Sequence, residues 1–294
     1  MRLARTVGGL ADTPKGILCI VAGVVLLTTQ DAISKVLIED FHPGEIMFWR
    51  GLVSFLPVAV FVWMDGGLDT LKSSRPKTTL LRALLALGTA VLIISSFQWM
   101  PLAEALAVLF ASPLILTALS APLLGETVGW RRWTAVVVGF AGVILLTRPG
   151  IEGIDLVVLV PFGAAVFAAL RDIVTRRLGA HDSSTSILFY TQLLAVVAAA
   201  PSLVSGTGLP EARHWTLFLV AGLLVGVAHY LIIQAFRFAE ASLVAPFRYL
   251  TLAWAVFLGF VLWGDVPDLW MLGGIALIAG SGLYTLHRET RGKR

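Results

Sequence analysis

Eleven side chains could do chemistry in a chain that is otherwise mostly apolar. They are Asp31, Arg50, Gln98, Ser112, Asp172, Tyr190, His229, Tyr230, Gln234, Arg248 and Tyr249. An ionisable group within hydrocarbon is costly unless it faces protein or a watered cavity. Each is therefore a candidate for substrate binding or gating. Asp31 and Arg50 fall at matching depths in adjacent apolar stretches, which predicts an ion pair with Gln98 nearby. Asp172, with Arg171 beside it, joins Tyr190, Gln234 and Arg248 near the opposite ends of other stretches. Two polar clusters at opposite faces suit two gates that part in turn, a static salt bridge being the alternative role for Asp31 and Arg50.

Between the clusters lie Ser112-Pro113 and Pro246-Phe247-Arg248-Tyr249. A proline removes one helix hydrogen bond and frees a carbonyl. Such a carbonyl is tolerated only against protein or a water-filled cavity. Trp49, Phe110, Tyr190, Tyr230, Tyr249 and Trp254 offer an aromatic lining suited to an amphipathic or zwitterionic metabolite, with lipid-facing packing as the alternative. His229 lies within a stretch. It is the residue to carry a proton if movement of the metabolite is proton-coupled, unless it only bonds within the bundle.

Other chemistries lack their residues. Cys19 is the single cysteine, and His42, His181, His214, His229 and His287 are scattered. No H-E-x-x-H or paired aspartates occur, so the expectation is no enzyme, no metal site and no cofactor. The chain has no G-x-x-x-x-G-K-[ST] loop and so cannot supply ATP energy itself. Rings of polar residues, the mark of a channel, are lacking. Net charge is +4, but the basic residues sit in short loops, which sets membrane orientation and points away from nucleic acid.

The elements that hold these residues follow from composition. Hydrophobic residues make up 57% of the 294 and charged ones 14%, well under the ~25% of soluble domains. Mean hydropathy is +0.88. Ten apolar stretches, at 16–37, 43–63, 79–99, 103–124, 128–147, 154–175, 184–204, 214–236, 240–262 and 267–286, each hold the ~20 residues a helix needs to cross a bilayer. Arg2, Arg5, Lys15, Lys72, Arg75, Lys77, Arg82, Arg131, Arg132, Arg176, Arg177 and Arg237 crowd one side with the C-terminal basic residues. Lys35, Arg148 and Arg213 lie opposite. This bias predicts a multi-pass bacterial inner-membrane protein with both termini cytoplasmic.

The chain also repeats. Gln98, Ala103, Glu104 and Ala105 match Gln234, Ala239, Glu240 and Ala241 at an offset of 136. Asp31, Ser34 and Lys35 match Asp172, Thr175 and Arg176 at 141, and Gly125-Glu126 matches Gly264-Asp265. A unit of five spans is odd, so its second copy must enter the membrane from the other side. The expected fold is an all-α membrane protein of ten transmembrane helices, arranged as two inverted five-helix repeats at 1–150 and 151–294. Inverted repeats are a transporter device, with the site near the midplane. Gly139, Gly142, Gly273, Gly274 and Gly280 suit close helix packing in spans five and ten and leave a homodimer through them open.

Pro101-Leu102-Ala103-Glu104-Ala105 through Ser112-Pro113, Leu124-Gly125-Glu126-Thr127-Val128-Gly129-Trp130 and Gly139-Phe140-Ala141-Gly142 resemble the drug/metabolite transporter superfamily in its EamA-type, ten-helix branch. In overall organisation the chain resembles the YddG-type amino-acid exporters, which implies amino-acid export by alternating access. The first span, Thr28-Thr29-Gln30-Asp31-Ala32-Ile33-Ser34-Lys35, lacks the Trp-Gly or Trp-Ser pair of many exporters. It resembles a proteobacterial subgroup with members linked to riboflavin or S-adenosylmethionine uptake, which implies import of a cofactor-like metabolite as the alternative. A reporter fused after Arg294 is expected to read as cytoplasmic in a topology assay, and an external reading overturns the assigned orientation.

Overall fold

The computed structural model describes residues 12–124, 129–147, 156–178, 183–204, 209–239 and 241–291. Arg2, Arg5, Gly125-Glu126, Arg148, the 150/151 boundary, His181, Glu240, Lys293 and Arg294 lie outside the described residues, as do the side chains of Arg131, Arg132, Arg176, Arg177, Arg237 and His287.

Every regular element among the described residues is a helix. Helices α1 (Thr13–Leu37), α2 (Pro43–Met64) and α3 (Pro76–Ser96) are unbroken spans. The fourth span is split into α4 (Leu102–Leu109) and α5 (Ser112–Leu124), and α6 (Trp130–Thr147) is the fifth. The second half repeats this with α7 (Leu159–Leu178), α8 (Ser184–Ala199) and α9 (Ala212–Phe238). Its fourth span is again split, into α10 (Ala241–Val244), a 3₁₀ segment (Ala245–Tyr249) and α11 (Leu250–Trp263), and α12 (Leu269–Arg291) is the last. Eight segments are long and apolar enough to cross a membrane, and the shorter apolar helices Trp133–Thr147 and Leu269–Tyr284 complete the ten. Leu18, Trp63 and Val137 are more than half exposed on the outer surface, the signature of a lipid-facing wall.

Local chemistry sets the ends. His42 starts α2: its Nδ1 accepts from Gly44 N–H at 3.2 Å while Glu45 Oε2 accepts from His42 N–H at 3.0 Å, satisfying two orphan donors. Ser183 caps α8 by accepting from Ser186 N–H at 2.9 Å. Gly264, at φ +72°, ends α11 in the left-handed conformation that only glycine adopts cheaply. Hydroxyls inside the spans bond back along their own helices, as Thr28 does to the Val24 carbonyl at 2.8 Å and Thr117 to that of Pro113 at 2.9 Å. Such residues are thereby neutralised in place.

We call the face at which α1 begins the near face and the other the far face. Polar links join loops of one face only. Near-face examples are Ser183 Oγ donating to the Thr70 carbonyl at 2.8 Å and the Asp65–Thr185 contact. Far-face examples are Lys35 Nζ donating to the Met100 carbonyl at 2.7 Å and Asp40 pairing with His214 at 3.1 Å. Ten alternating spans require this segregation.

The helix pairings obey an exchange symmetry. α1 packs along α9, and α3 along α7; exchanging the halves converts one pair into the other. α2 with α8 and α6 with α12 map onto themselves, and α5 with α7 maps onto α11 with α1. The halves are thus interleaved, as two inverted copies about a pseudo-two-fold axis must be.

Lipid offers helices no hydrophobic reason to associate, so close packing of small residues carries much of the cohesion. A Cβ at Gly222 of α9 would lie 2.5 Å from Val53 Cβ and 2.6 Å from the Arg50 carbonyl of α2. Gly142 and Gly274 let α6 and α12 meet backbone to backbone. Gly139, Gly142, Gly273 and Gly274 are therefore packed inside the chain, while Gly280 faces open space.

Gly222→Val is expected to destabilise the protein by roughly 1–3 kcal/mol or more through overpacking, read as a lower melting midpoint in detergent. Gly280→Ala, whose Cβ would meet nothing within 4 Å, is expected to leave that midpoint unchanged.

Candidate functional site

The two broken spans adjoin along one wall of a cavity of about 410 Å³. The breaks are equivalent. The offset of 136 that matches the repeat turns sets Phe110-Ala111, where α4 stops, against Pro246-Phe247 in the 3₁₀ segment. Pro113 lacks the N–H that would bond the Leu109 carbonyl, and the chain bridges the gap with Ala111 N–H to Val108 O at 2.9 Å. Leu109, Phe110, Ser112 and Pro113 line the cavity from one half, and Arg248 and Tyr249 from the other. The Phe110 and Tyr249 rings lie 5.2 Å apart and form an aromatic patch on this wall. Leu116 and Thr117 of α5 and Gly282 of α12 join them, and α1, α2, α3, α7, α8 and α9 supply the remaining wall residues.

The far-face end holds Gln30, Asp31 and Arg50. Asp31 and Arg50 each act on the other electrostatically, yet they form no salt bridge. Arg50 Nη1 donates instead to Ser34 Oγ at 3.3 Å, and Gln30 Nε2 donates to the same oxygen at 2.6 Å. The reason lies in side-chain direction. Every Cα–Cβ bond tilts toward its helix N-terminus. Antiparallel α1 and α2 therefore lean Asp31 toward the near face and Arg50 toward the far face, where Ser34 lies one turn on.

The near-face end is cationic. Arg82 of α3 reaches α7 and α8, donating from Nε to Thr175 Oγ1 at 2.9 Å and from Nη1 to Thr191 Oγ1 at 3.3 Å. Arg171 pairs with its neighbour Asp172 at 3.0 Å. His229 donates from Nδ1 to the Val225 carbonyl at 2.8 Å, since a carbonyl can only accept. Its ring stands within electrostatic reach of Arg50, Arg82 and Arg171 together. Among the described residues no group of three or more His, Cys, Asp or Glu could hold a metal.

Of the eleven residues singled out in the sequence, Asp31, Arg50, Ser112, His229, Arg248 and Tyr249 line the cavity. Five do not. Gln98 is exposed at the end of α3. Asp172 is turned about 100° from Arg171 by helix geometry. Tyr230 is turned likewise from His229 and stacks on Phe61 at 3.8 Å, while Gln234 lies off the wall that His229 and Ile233 share. Tyr190 packs edge-on to Phe189 at 5.5 Å. Trp49 and Trp254 also lie off the wall, Trp254 donating to Thr29 Oγ1 at 3.0 Å. The residues missed are Gln30, Arg82, Thr191 and Gln192. By its place in the sequence Arg82 belongs with the loop charges. Its signal was that Pro76 opens α3 early, which buries Arg82 about 9 Å along the helix.

A family model, the EamA-like transporter family, matches residues 14–148 and again 155–286. The chain belongs to the EamA-like transporter family. That double match is the repeat seen in the fold, and the family consists of transporters rather than enzymes. The S-adenosylmethionine uptake transporter of Rickettsia bellii is 27% identical over 91% of this chain and 92% of its own length. The riboflavin transporter of Vibrio cholerae is 32% identical over 72% and 73%. A pseudopaline exporter of Pseudomonas aeruginosa is 25% identical over 90% and 93%. A solved crystal structure shares the fold with a TM-score of 0.67 at 17% identity, covering 96% of this chain and 99% of that one. The chain is a multi-pass membrane carrier of a small organic metabolite within this family.

Tyr249 is held by α12, where a Cβ on Gly282 would collide with its hydroxyl. Gly282→Ala is expected to displace the ring and raise the apparent KM roughly 2- to 10-fold, the scale of one aromatic contact. The melting midpoint should stay in place, and an unchanged KM would remove Tyr249 from the binding wall.

Proposed function

We propose that this EamA-family chain imports a cofactor-sized, ring-bearing metabolite of the S-adenosylmethionine or riboflavin class across the bacterial inner membrane, by alternating access. The carrying observation is the cavity itself. Its volume of about 410 Å³ falls in the ~300–1,000 Å³ range of pockets that enclose drug-sized ligands. A flat heteroaromatic ring has the Phe110–Tyr249 patch to lie on, and polar groups at both ends to receive its substituents. A single amino acid would leave much of that space to water. Amino-acid export, the expectation from the YddG resemblance, has less behind it, since the relatives above are named for S-adenosylmethionine, riboflavin and pseudopaline.

In this reading the halves divide at 150/151, both termini are cytoplasmic, and the two faces are gated by contacts between halves. Arg82 with Thr175 and Thr191 closes the near side. Asp40 with His214 and Arg213, together with Lys35 over the Trp263 ring at 5.3 Å, closes the far side. Alternating access needs one set to part while the other holds.

Counterflow in proteoliposomes tests the reading. Vesicles preloaded with unlabelled S-adenosylmethionine or riboflavin are expected to accumulate the same labelled compound and to ignore a panel of amino acids. Accumulation driven only by amino acids would overturn it in favour of the exporter reading.

A further inference from the structure

The repeat sets the same wall positions in both halves but fills them with different chemistry. At the offset of 141, Gln30 stands opposite Arg171, and Arg50 opposite Thr191. At the offset of 136, Ser112 stands opposite Arg248, and Ile93 opposite His229. All eight line the cavity. Among the described residues the exchange leaves the cavity with four arginines on its wall, Arg50, Arg82, Arg171 and Arg248, against one carboxylate, Asp31. The imbalance is concentrated at the near-face end. There, among the described residues, Arg82 bonds to threonine hydroxyls and has no carboxylate within ion-pair distance. Among the described residues Arg171 pairs with Asp172, and both lie close enough for their charges to act on Arg82, the cation opposing it and the carboxylate favouring it.

A guanidinium is a fork of five donors that fits a carboxylate or phosphate two bonds at a time. Bonds to Thr175 and Thr191 occupy the Nε and Nη1 of Arg82 and fix its plane, which leaves further donors on Nη1 and Nη2. Neighbouring cations that hold each other at a cost are stabilised by an anion shared between them. In a low-dielectric cavity that attraction far exceeds its strength in water.

We infer that Arg82, oriented by Thr175 and Thr191 and flanked by Arg171, forms an anion subsite at the near-face end of the cavity, and that the transported metabolite carries a carboxylate or phosphate seated there. The inference deepens the proposed function, resting on the same cavity and adding a required charged group. Asp31 and Gln30, at the other end, then face the remainder of the molecule. The substrate is held in one orientation, because the two halves no longer offer equivalent groups.

Binding to purified protein in detergent tests this with matched pairs: riboflavin against flavin mononucleotide for the phosphate, and S-adenosylmethionine against its decarboxylated form for the carboxylate. The member that bears the carboxylate or phosphate is expected, in at least one pair, to bind about tenfold tighter or more, the pair concerned naming the group. Arg82→Gln is expected to abolish that preference, and Arg82→Lys to keep part of it. Equal binding within both pairs overturns the inference, as does a preference that survives Arg82→Gln. If no member of either pair binds, the cofactor reading falls, and inorganic phosphate and acetate become the probes. A melting midpoint raised by either in the wild type but not in Arg82→Gln still supports the subsite. No shift removes it too.

Discussion

Main-chain N–H and C=O groups in hydrocarbon must be bonded within the protein, and the rest of this structure depends on that constraint. It makes the chain helical across each span. It also dictates where a helix can break, since freed carbonyls need protein or water beside them. The chain breaks a span twice, after Leu109 and at Ala245–Tyr249, and both breaks border the same cavity. The cavity and the breaks are therefore one feature, with the cavity supplying what the interrupted backbone lacks.

Cohesion has to come from elsewhere, because lipid tails are as apolar as leucine. Small residues let backbones approach: Gly16 and Gly23 of α1 against α9, Gly222 and Gly226 of α9 against α2, Gly142 and Gly274 between α6 and α12. The contact at Gly222 reaches the site directly, because the carbonyl it meets belongs to Arg50. Packing in the bundle thus fixes the position of a charged group on the cavity wall.

The pseudo-two-fold gives the two halves equal geometry, while substitution has given them unequal chemistry. Relatives within the EamA-like family are named for different cargoes and for both directions, at identities of 25–32%. A shared frame with a variable lining accounts for that spread, because the frame rests on glycines and helix breaks, and the lining on side chains that can change without disturbing either.

The sequence by itself determined the class, the span count and the inversion of the halves. These follow from hydropathy, from charge in the loops and from polar residues at helix ends, all local properties that need no neighbour to be read. It also marked Ser112-Pro113 and Pro246 as the places where helices yield, because proline chemistry is local too. Tertiary structure decided which polar residues meet. Asp31 and Arg50 share a depth, yet they diverge because antiparallel helices tilt their side chains in opposite directions. Asp172 and Tyr230 sit beside the residues that face the cavity, and a helix turns adjacent positions about 100° apart. Arg82 belongs with the loop charges by sequence, but α3 begins at Pro76 and carries it into the wall against α7 and α8. Depth can be counted along a chain, but rotation about the helix axis and lean toward a partner are set only when the helices pack.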